Sequence, residues 1–150
     1  PLIAAGGIGS GVSMLAAMVL GADGVQIGSR FIASPESSAH QNFKDYILHA
    51  KEGDTQLMLK EITPVRLLKN DFYNQIVSAY DKGATIEELR ALLGRGRAKK
   101  GMFLGNLVDG ELEVGQISAT VDSIKPAGEI VQEIIEEFKL IKNKISKIVL

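Results

Sequence analysis

The sequence predicts an α/β fold, and two glycine-ended apolar stretches near its start are the main reason. Residues 1–5 form an apolar run that ends on Gly6-Gly7, and residues 24–27 form a second run that ends on Gly28-Ser29. Between them, residues 12–20 are small and aliphatic, which is typical of a helix buried against a sheet. This order predicts a βαβ unit, whose strands run parallel and whose crossover is right-handed.

Capping residues set the limits of this unit. Ser10 is suited to cap the helix over residues 12–20, and Gly21 follows its last turn as a C′ glycine would. Val25 and Ile27 are β-branched, as expected of a strand between turns.

The chain becomes mostly helical in pattern after residue 33. Ser34-Pro35-Glu36 reads as an N-cap, a proline at N1 and an acidic first turn, which predicts a helix to about residue 51. Residues 55–62 partly alternate and predict either a strand or an extended arm. Pro64 interrupts this stretch, and a helix is predicted over residues 65–80.

The last part of the chain begins with a clearly capped helix. Residues 85–93 are predicted as a helix because Thr85 and Glu88 have capping-box spacing and Gly94 follows. Residues 94–109 are loop-rich and residues 111–121 extended or turning. Pro126 then opens a long helix to about residue 144, and its apolar positions fall at helical spacing: Ile130, Ile134, Phe138, Ile141 and Ile145. We interpret this stripe as a core face, with a homodimer contact as the alternative.

Composition excludes several classes of function. The 150 residues carry a net charge of −1 and have 45% hydrophobic and 23% charged residues, so nothing favours a nucleic-acid partner. With no cysteine there is no disulfide framework and no thiolate metal site, and we expect a cytoplasmic protein without a metal. No apolar run reaches the roughly 18 residues of a membrane span. Pro1 has no methionine before it and a strand pattern begins at once, so we expect a carboxy-terminal fragment.

The glycine turns predict a phosphate site. A P-loop is excluded because Val12 stands where lysine is needed, and no register of these glycines gives G-x-G-x-x-G. Backbone N–H groups after two neighbouring parallel strands suit a phosphate, and (β/α)₈ barrels commonly bind phosphate after strands 7 and 8. Tight turns without a ligand remain the alternative.

These residues resemble a known family. Residues 4–8 and 21–31 look like the FMN-phosphate segments of nitronate monooxygenases, formerly 2-nitropropane dioxygenases, and are equally similar to FMN-dependent enoyl-acyl carrier protein reductase II. Further similar segments extend the resemblance over nearly the whole chain: Glu36, residues 40–44, residues 63–70 and residues 113–118.

The resemblance implies the C-terminal strands and helices of an FMN-binding (β/α)₈ TIM barrel with a mostly helical cap subdomain. Residues 1–33 would be the last two β/α units, residues 34–118 the cap over the substrate, and residues 119–150 a helix returning to the barrel. The implied cofactor-binding residues are Gly6, Gly7, Gln26, Ile27, Gly28 and Ser29. Arg30 is expected to be a structural ion-pair residue rather than a phosphate ligand.

No catalytic residue is expected in this chain. The family's general base is a histidine on an earlier barrel strand, which the resemblance implies lies upstream of Pro1. His40 and His49 do not follow a barrel strand, so we interpret both as structural or solvated. The basic residues 94–101 could meet NAD(P)H or a phosphopantetheine, although a solvated loop is favoured.

The resemblance therefore implies an FMN-dependent oxidoreductase acting on a small molecule, of the nitronate monooxygenase type, which oxidises alkyl nitronates with O₂. The alternative is an enoyl-acyl carrier protein reductase that uses NAD(P)H. A second alternative is a non-catalytic fragment that lacks the upstream histidine.

Overall fold

The structure is a computed structural model that describes residues 1–148. Along the chain the elements are β1 (Ile3–Ala5), α1 (Gly11–Val19), β2 (Gly24–Gln26), α2 (Ser29–Ile32), α3 (Gln41–Leu48), β3 (Thr55–Met58), β4 (Val65–Leu68), α4 (Asp71–Asp81), α5 (Ile86–Leu93), a π-helical turn (Lys99–Phe103), a 3₁₀ helix (Gln116–Thr120) and α6 (Ala127–Ile145). They form two compact units, the first made of Pro1–Ser37 with the segment from Ser123 onward, and the second of Ser38–Asp122.

The first unit contains the predicted strand–helix–strand arrangement. β1 and β2 pair in parallel, with Ala5 opposite Gln26, and α1 connects them. The predicted cap at Ser10 is confirmed, because its hydroxyl accepts from the Ser13 N–H at 3.2 Å. Gly21 follows the helix with a φ of +105°, a conformation that favours glycine.

In this unit α6 packs against α1. Gly11, the first residue of α1, is buried in the contact, and its N–H donates to the Glu137 carboxylate at 2.6 Å. The predicted apolar stripe of α6 is buried at Ile130 and Ile134, whereas Ile145 is exposed. The carboxyl end of the stripe therefore does not form a core face in this chain.

The second unit is built around a β-hairpin and two helices. β3 and β4 are antiparallel, with Thr55 opposite Leu68, and the backbone around Glu113 pairs with the other edge of β4. The hairpin and the helices α4 and α5 share one core, whose buried members are Met58, Leu59, Leu67, Phe72, Tyr73, Ile76 and Leu89. The strand alternative for residues 55–62 is thus confirmed over β3.

The helix predicted to begin at Ser34-Pro35-Glu36 is wrong. The Ser34 hydroxyl donates to the Phe31 carbonyl at 2.9 Å, which closes a turn instead of capping a helix. α3 begins later, at Gln41, where the His40 ring nitrogen Nδ1 accepts from the Asn42 N–H. The cap of α3 is thus the His40 ring and not the Ser34 hydroxyl.

The helix predicted over residues 65–80 is wrong in its first part. Residues 65–68 are strand β4, because both edges find partners: β3 on one side, and Leu112 and Val114 on the other. α4 begins at Asp71, with the Asn70 side chain accepting from the Tyr73 N–H at 2.9 Å.

The predicted helix over residues 85–93 is confirmed as α5 with its Thr85–Glu88 capping box.

Within residues 1–148, no helix is long and apolar enough to span a bilayer. Over the same range, no group of three or more His, Cys, Asp or Glu side chains is arranged to hold a metal ion.

Candidate functional site

The six residues implied as cofactor-binding lie at the carboxyl ends of β1 and β2. Gly6 and Gly7 follow β1 directly, Gln26 is the last residue of β2, Ile27 and Gly28 form the next turn, and Ser29 begins α2. Because Ala5 pairs with Gln26 in parallel register, the two turns leave the same end of the strand pair side by side. Their binding role stays a prediction.

The backbone of these turns is open to a ligand. Gly6 and Gly7 have φ of +86° and +71°, conformations that favour glycine. An added Cβ at Gly6 or Gly28 would meet no atom within 4 Å, and both glycines are exposed. A group of phosphate size therefore has room beside both turns, and the backbone can approach it without hindrance from a side chain.

Arg30 lies just beyond this pair of turns and is 8% exposed. Its Nη1 donates to the Ser123 carbonyl at 3.3 Å. It also lines a cavity of about 210 Å³ with Ser10, Glu133 and Glu137. The geometry thus holds Arg30 against the segment that leads into α6, but through a backbone carbonyl, and among the described residues Arg30 does not form the ion pair expected for it.

The two histidines are the cap residues at the two ends of helix α3. His40 caps the amino end of α3, and its ring fills the space beside Gly105, where an added Cβ would lie 2.6 Å from a ring carbon. His49 follows the carboxyl end, where Nδ1 lies 2.7 Å from the Asp45 carbonyl oxygen. Both are bound by local backbone contacts, as the structural interpretation expected.

Two of the four cations in the basic segment make contacts within the fold. The Arg97 Nε donates to the carbonyls of Leu92 and Leu93 at the end of α5, and its guanidinium lies 4.3 Å from the centre of the Phe72 ring. Lys100 forms a 2.8 Å ion pair with Asp109. These contacts support the non-binding interpretation for these two cations.

Two features of the second unit were not found from the sequence. Glu111 is buried at 6% exposure, and this burial, with the nearby negative charge of Glu113, raises its pKa to about 7 although Arg97 opposes the shift. Arg66 lines a cavity together with residues that come from two other parts of the chain, residues 52–55 and 116–120. No sequence signal joins such residues, because only the pairing of β4 with its two neighbours brings them together.

Comparison with known proteins agrees with the geometry. The family model described as nitronate monooxygenase matches residues 1–137. A probable nitronate monooxygenase from Staphylococcus saprophyticus is 33% identical over 146 residues, which cover 96% of this chain and 40% of that protein. The chain thus spans about two fifths of the length of this curated relative.

Two solved structures show the same arrangement over nearly the whole chain. FabK from Thermotoga maritima matches with a TM-score of 0.85 and 35% identity, covering 97% of this chain and 46% of that one. A nitroalkane oxidase from Streptomyces ansochromogenes matches with a TM-score of 0.72 and 28% identity, covering 97% of this chain and 41% of that one. On the strength of the family match over residues 1–137, the chain belongs to the nitronate monooxygenase family.

Proposed function

We propose that the protein carrying this chain is an FMN-dependent oxidoreductase that oxidises alkyl nitronates with O₂. The observation that carries the proposal is the parallel register of Ala5 and Gln26, which sets two open glycine turns side by side. Membership of the nitronate monooxygenase family supports the choice of cofactor and reaction.

In this proposal the two turns hold the FMN phosphate. The N–H groups of Gly28 and Ser29 would donate to the phosphate oxygens, and charge-assisted hydrogen bonds of this kind are each worth roughly 1.5–3 kcal/mol. Gly6 and Gly7 would let the backbone of the first turn pass close to the same group, and Gln26 and Ile27 would line the cofactor. When bound, the flavin would supply the redox chemistry, and the chain's part is to anchor and orient it.

The same proposal assigns roles to the segments of the chain. The unit of β1, α1 and β2 has the parallel strand–helix–strand form that a (β/α)₈ barrel repeats, and we infer that residues 1–33 are its last two β/α units. Residues 34–118 would then form the cap over the substrate, and residues 119–150 the helix that returns to the barrel. Since His40 and His49 both serve helix ends, we infer that the general base lies outside these 150 residues.

A second candidate is NAD(P)H-dependent reduction of an enoyl-acyl carrier protein. The observation that favours it is that FabK has both the higher TM-score and the higher identity of the two solved structures compared above. Arg95 and Lys99, which are exposed on the basic segment, could contact a phosphorylated cosubstrate in that case.

The deciding experiment begins with the visible spectrum of the purified protein. FMN released on denaturation is expected; its absence, with no rebinding of added FMN, would refute both enzyme proposals and leave a non-catalytic chain. Oxygen consumption with propyl-2-nitronate in the absence of NAD(P)H would support the first proposal. Bleaching of the flavin by NAD(P)H, with reoxidation by an enoyl thioester and no nitronate turnover, would favour the second.

A further inference from the structure

The second unit contains a cavity of about 600 Å³ beside strand β4, and most of the residues that line it are polar. Arg66 comes from β4 and Thr55 from β3, while Gln116 comes from the start of the 3₁₀ helix. The chain approaches this place because the Val114 N–H donates to the Arg66 carbonyl at 3.1 Å, which extends the sheet by one more backbone segment. Three separate stretches of chain therefore meet around one cavity.

The guanidinium of Arg66 is fixed at one end only. Its Nη1 donates to the carbonyl and to the hydroxyl of Thr55, at 3.2 and 3.3 Å. Arg66 stands opposite Leu57, so Thr55 is its diagonal neighbour across the hairpin, and the side chain must lie along the strand to reach it. This anchoring orders a long side chain that would otherwise be mobile.

The remaining donors of Arg66 have no partner in the part of the chain that the structure describes. Nε and Nη2 make no hydrogen bond there, and Arg66 forms no ion pair within residues 1–148. Glu52 lines the same cavity but forms no ion pair with Arg66 in the described part of the chain. Arginine is always charged, so this half-buried cation presents an unneutralised fork of N–H groups to the cavity.

We propose that this cavity binds the oxyanion of a small molecule, a carboxylate or a phosphate, with Arg66 as its main ligand. The planar fork of Nε and Nη2 matches two oxygens of such a group. The Thr55 hydroxyl accepts from Nη1 and still has its own hydrogen to donate, and the Gln116 amide supplies a further donor. The site lies wholly within the second unit, is separate from the glycine turns and does not depend on the proposed FMN chemistry.

The test uses the purified protein, saturated with FMN where it binds FMN, and labelled with ¹⁵N at arginine. Acetate and, separately, inorganic phosphate are titrated at constant ionic strength while the Nε–H resonances are followed. The proposal expects one resonance, identified by its loss in Arg66→Lys, to shift saturably. Tighter binding of acetate would assign a carboxylate ligand, and tighter binding of phosphate would assign a phosphate.

Two further variants keep the test decisive if Arg66→Lys does not fold. Thr55→Val keeps the shape and strand preference of the side chain but removes the hydroxyl, so the apparent Kd should rise by about tenfold. Arg90→Lys changes an exposed arginine of α5, outside the basic segment, and should leave the Kd unchanged. A lack of saturation with both anions, or equal drift of all arginine resonances, would overturn the proposal. FMN retention is read separately, so failure of one proposal does not imply failure of the other.

Discussion

Glu137 of α6 accepts a 2.6 Å hydrogen bond from the backbone N–H of Gly11, the first residue of α1. The first N–H groups of a helix have no partner within the helix, and a carboxylate there is also favoured by the helix dipole. The glycine is what permits the approach: an added Cβ would lie 2.8 Å from the Glu137 carbonyl carbon, and closer to Phe138 N and Ile134 O. One residue without a side chain thus allows α1, which connects β1 to β2, to pack closely against α6.

We therefore predict that Gly11→Ala destabilises the protein by about 1–3 kcal/mol, the usual cost of overpacking. Alanine is otherwise the better helix former by about 1 kcal/mol, but the obstructing atoms here are backbone and cannot rotate away. Urea unfolding measures the difference. The matched control is Gly128→Ala in α6, where a Cβ meets nothing within 4 Å and stability should be equal or slightly higher. Equal stabilities of the two variants would contradict the close helix contact.

Arg97 provides a second prediction, because its guanidinium joins three parts of the second unit. It donates to carbonyls at the end of α5, donates to the Asp109 carbonyl at 2.8 Å, and lies over the Phe72 ring. Arg97→Met keeps the aliphatic stem but leaves these carbonyls without their donor, and should cost about 2–3 kcal/mol of unfolding free energy.

The control for Arg97 is Arg95→Met, in the same basic segment but exposed. It should change stability by no more than about 0.5 kcal/mol. If both variants lost cosubstrate affinity and neither lost stability, Arg97 would be a ligand residue, and the structural interpretation of its contacts would be wrong.

The buried carboxyl of Glu111 predicts how stability depends on pH. Its pKa in the folded state, about 7, is above the ordinary 4.5, because burial and the charge of Glu113 disfavour the ionised form. The stabilising contribution of the protonated form is fully present below pH 4.5 and is lost as pH rises through 7. The free energy of unfolding should therefore fall between these values, by up to about 1.4 kcal/mol per pH unit from this group.

Urea unfolding at intervals from pH 5 to pH 8 tests both the predicted fall in stability with rising pH and its assignment to Glu111. Glu111→Gln cannot ionise, so this part of the slope should disappear and the variant should exceed the parent in stability at pH 8. Glu113→Gln removes only the neighbouring charge and so lowers the folded-state pKa of Glu111, which means that the fall should still begin near pH 4.5 but should end at a lower pH and be smaller in total. A parent and a Glu111→Gln variant with identical slopes would refute the prediction.

The sequence predicted correctly those features that depend on contacts between residues close together in the chain. Ser10, Thr85 and the glycines act through neighbours a few residues away, and the caps of α1 and α5 were predicted from them correctly. Residues 65–68 were misread as helix because a short apolar run fits either element, and the partners that make it a strand lie near residues 55 and 113. Asn70 followed by Asp71 was the available signal that the helix begins later.

The functional features also divide into those that a local sequence pattern predicts and those that depend on long-range contacts. The glycine turns could be located from the sequence because they are made of consecutive residues, which a sequence displays directly, and their role in binding a phosphate stays a prediction. The cavity of Arg66 and the buried carboxyl of Glu111 depend on long-range pairing, so neither has a local pattern. The sequence places Arg97 in a basic segment, which suggests an exposed cation. Its structural contact is with the ring of Phe72, which lies 25 residues earlier in the chain.

The glycine turn after β2 offers the sharpest test of the proposed cofactor site. Gly28 has a φ of −112°, which other residues adopt, and an added Cβ would meet no atom within 4 Å. Gly28→Ala should therefore leave the free energy of unfolding of the FMN-free protein within about 0.5 kcal/mol of the parent. If the FMN phosphate lies against this turn, the same methyl group occupies its space, and the Kd for FMN should rise by about tenfold or more.

An effect on FMN binding can be separated from an effect on stability, because Gly28→Ala is expected to leave the free energy of unfolding unchanged. The Kd is measured by flavin fluorescence quenching, with Gly128→Ala as a second glycine-to-alanine change made in open space, in α6. Gly28→Ser should weaken binding less than Gly28→Val, since a hydroxyl can hydrogen-bond to a phosphate and an isopropyl group cannot. Unchanged FMN affinity in Gly28→Ala and Gly28→Val, with both proteins folded, would remove Gly28 from the cofactor site and move the phosphate to the turn at Gly6 and Gly7.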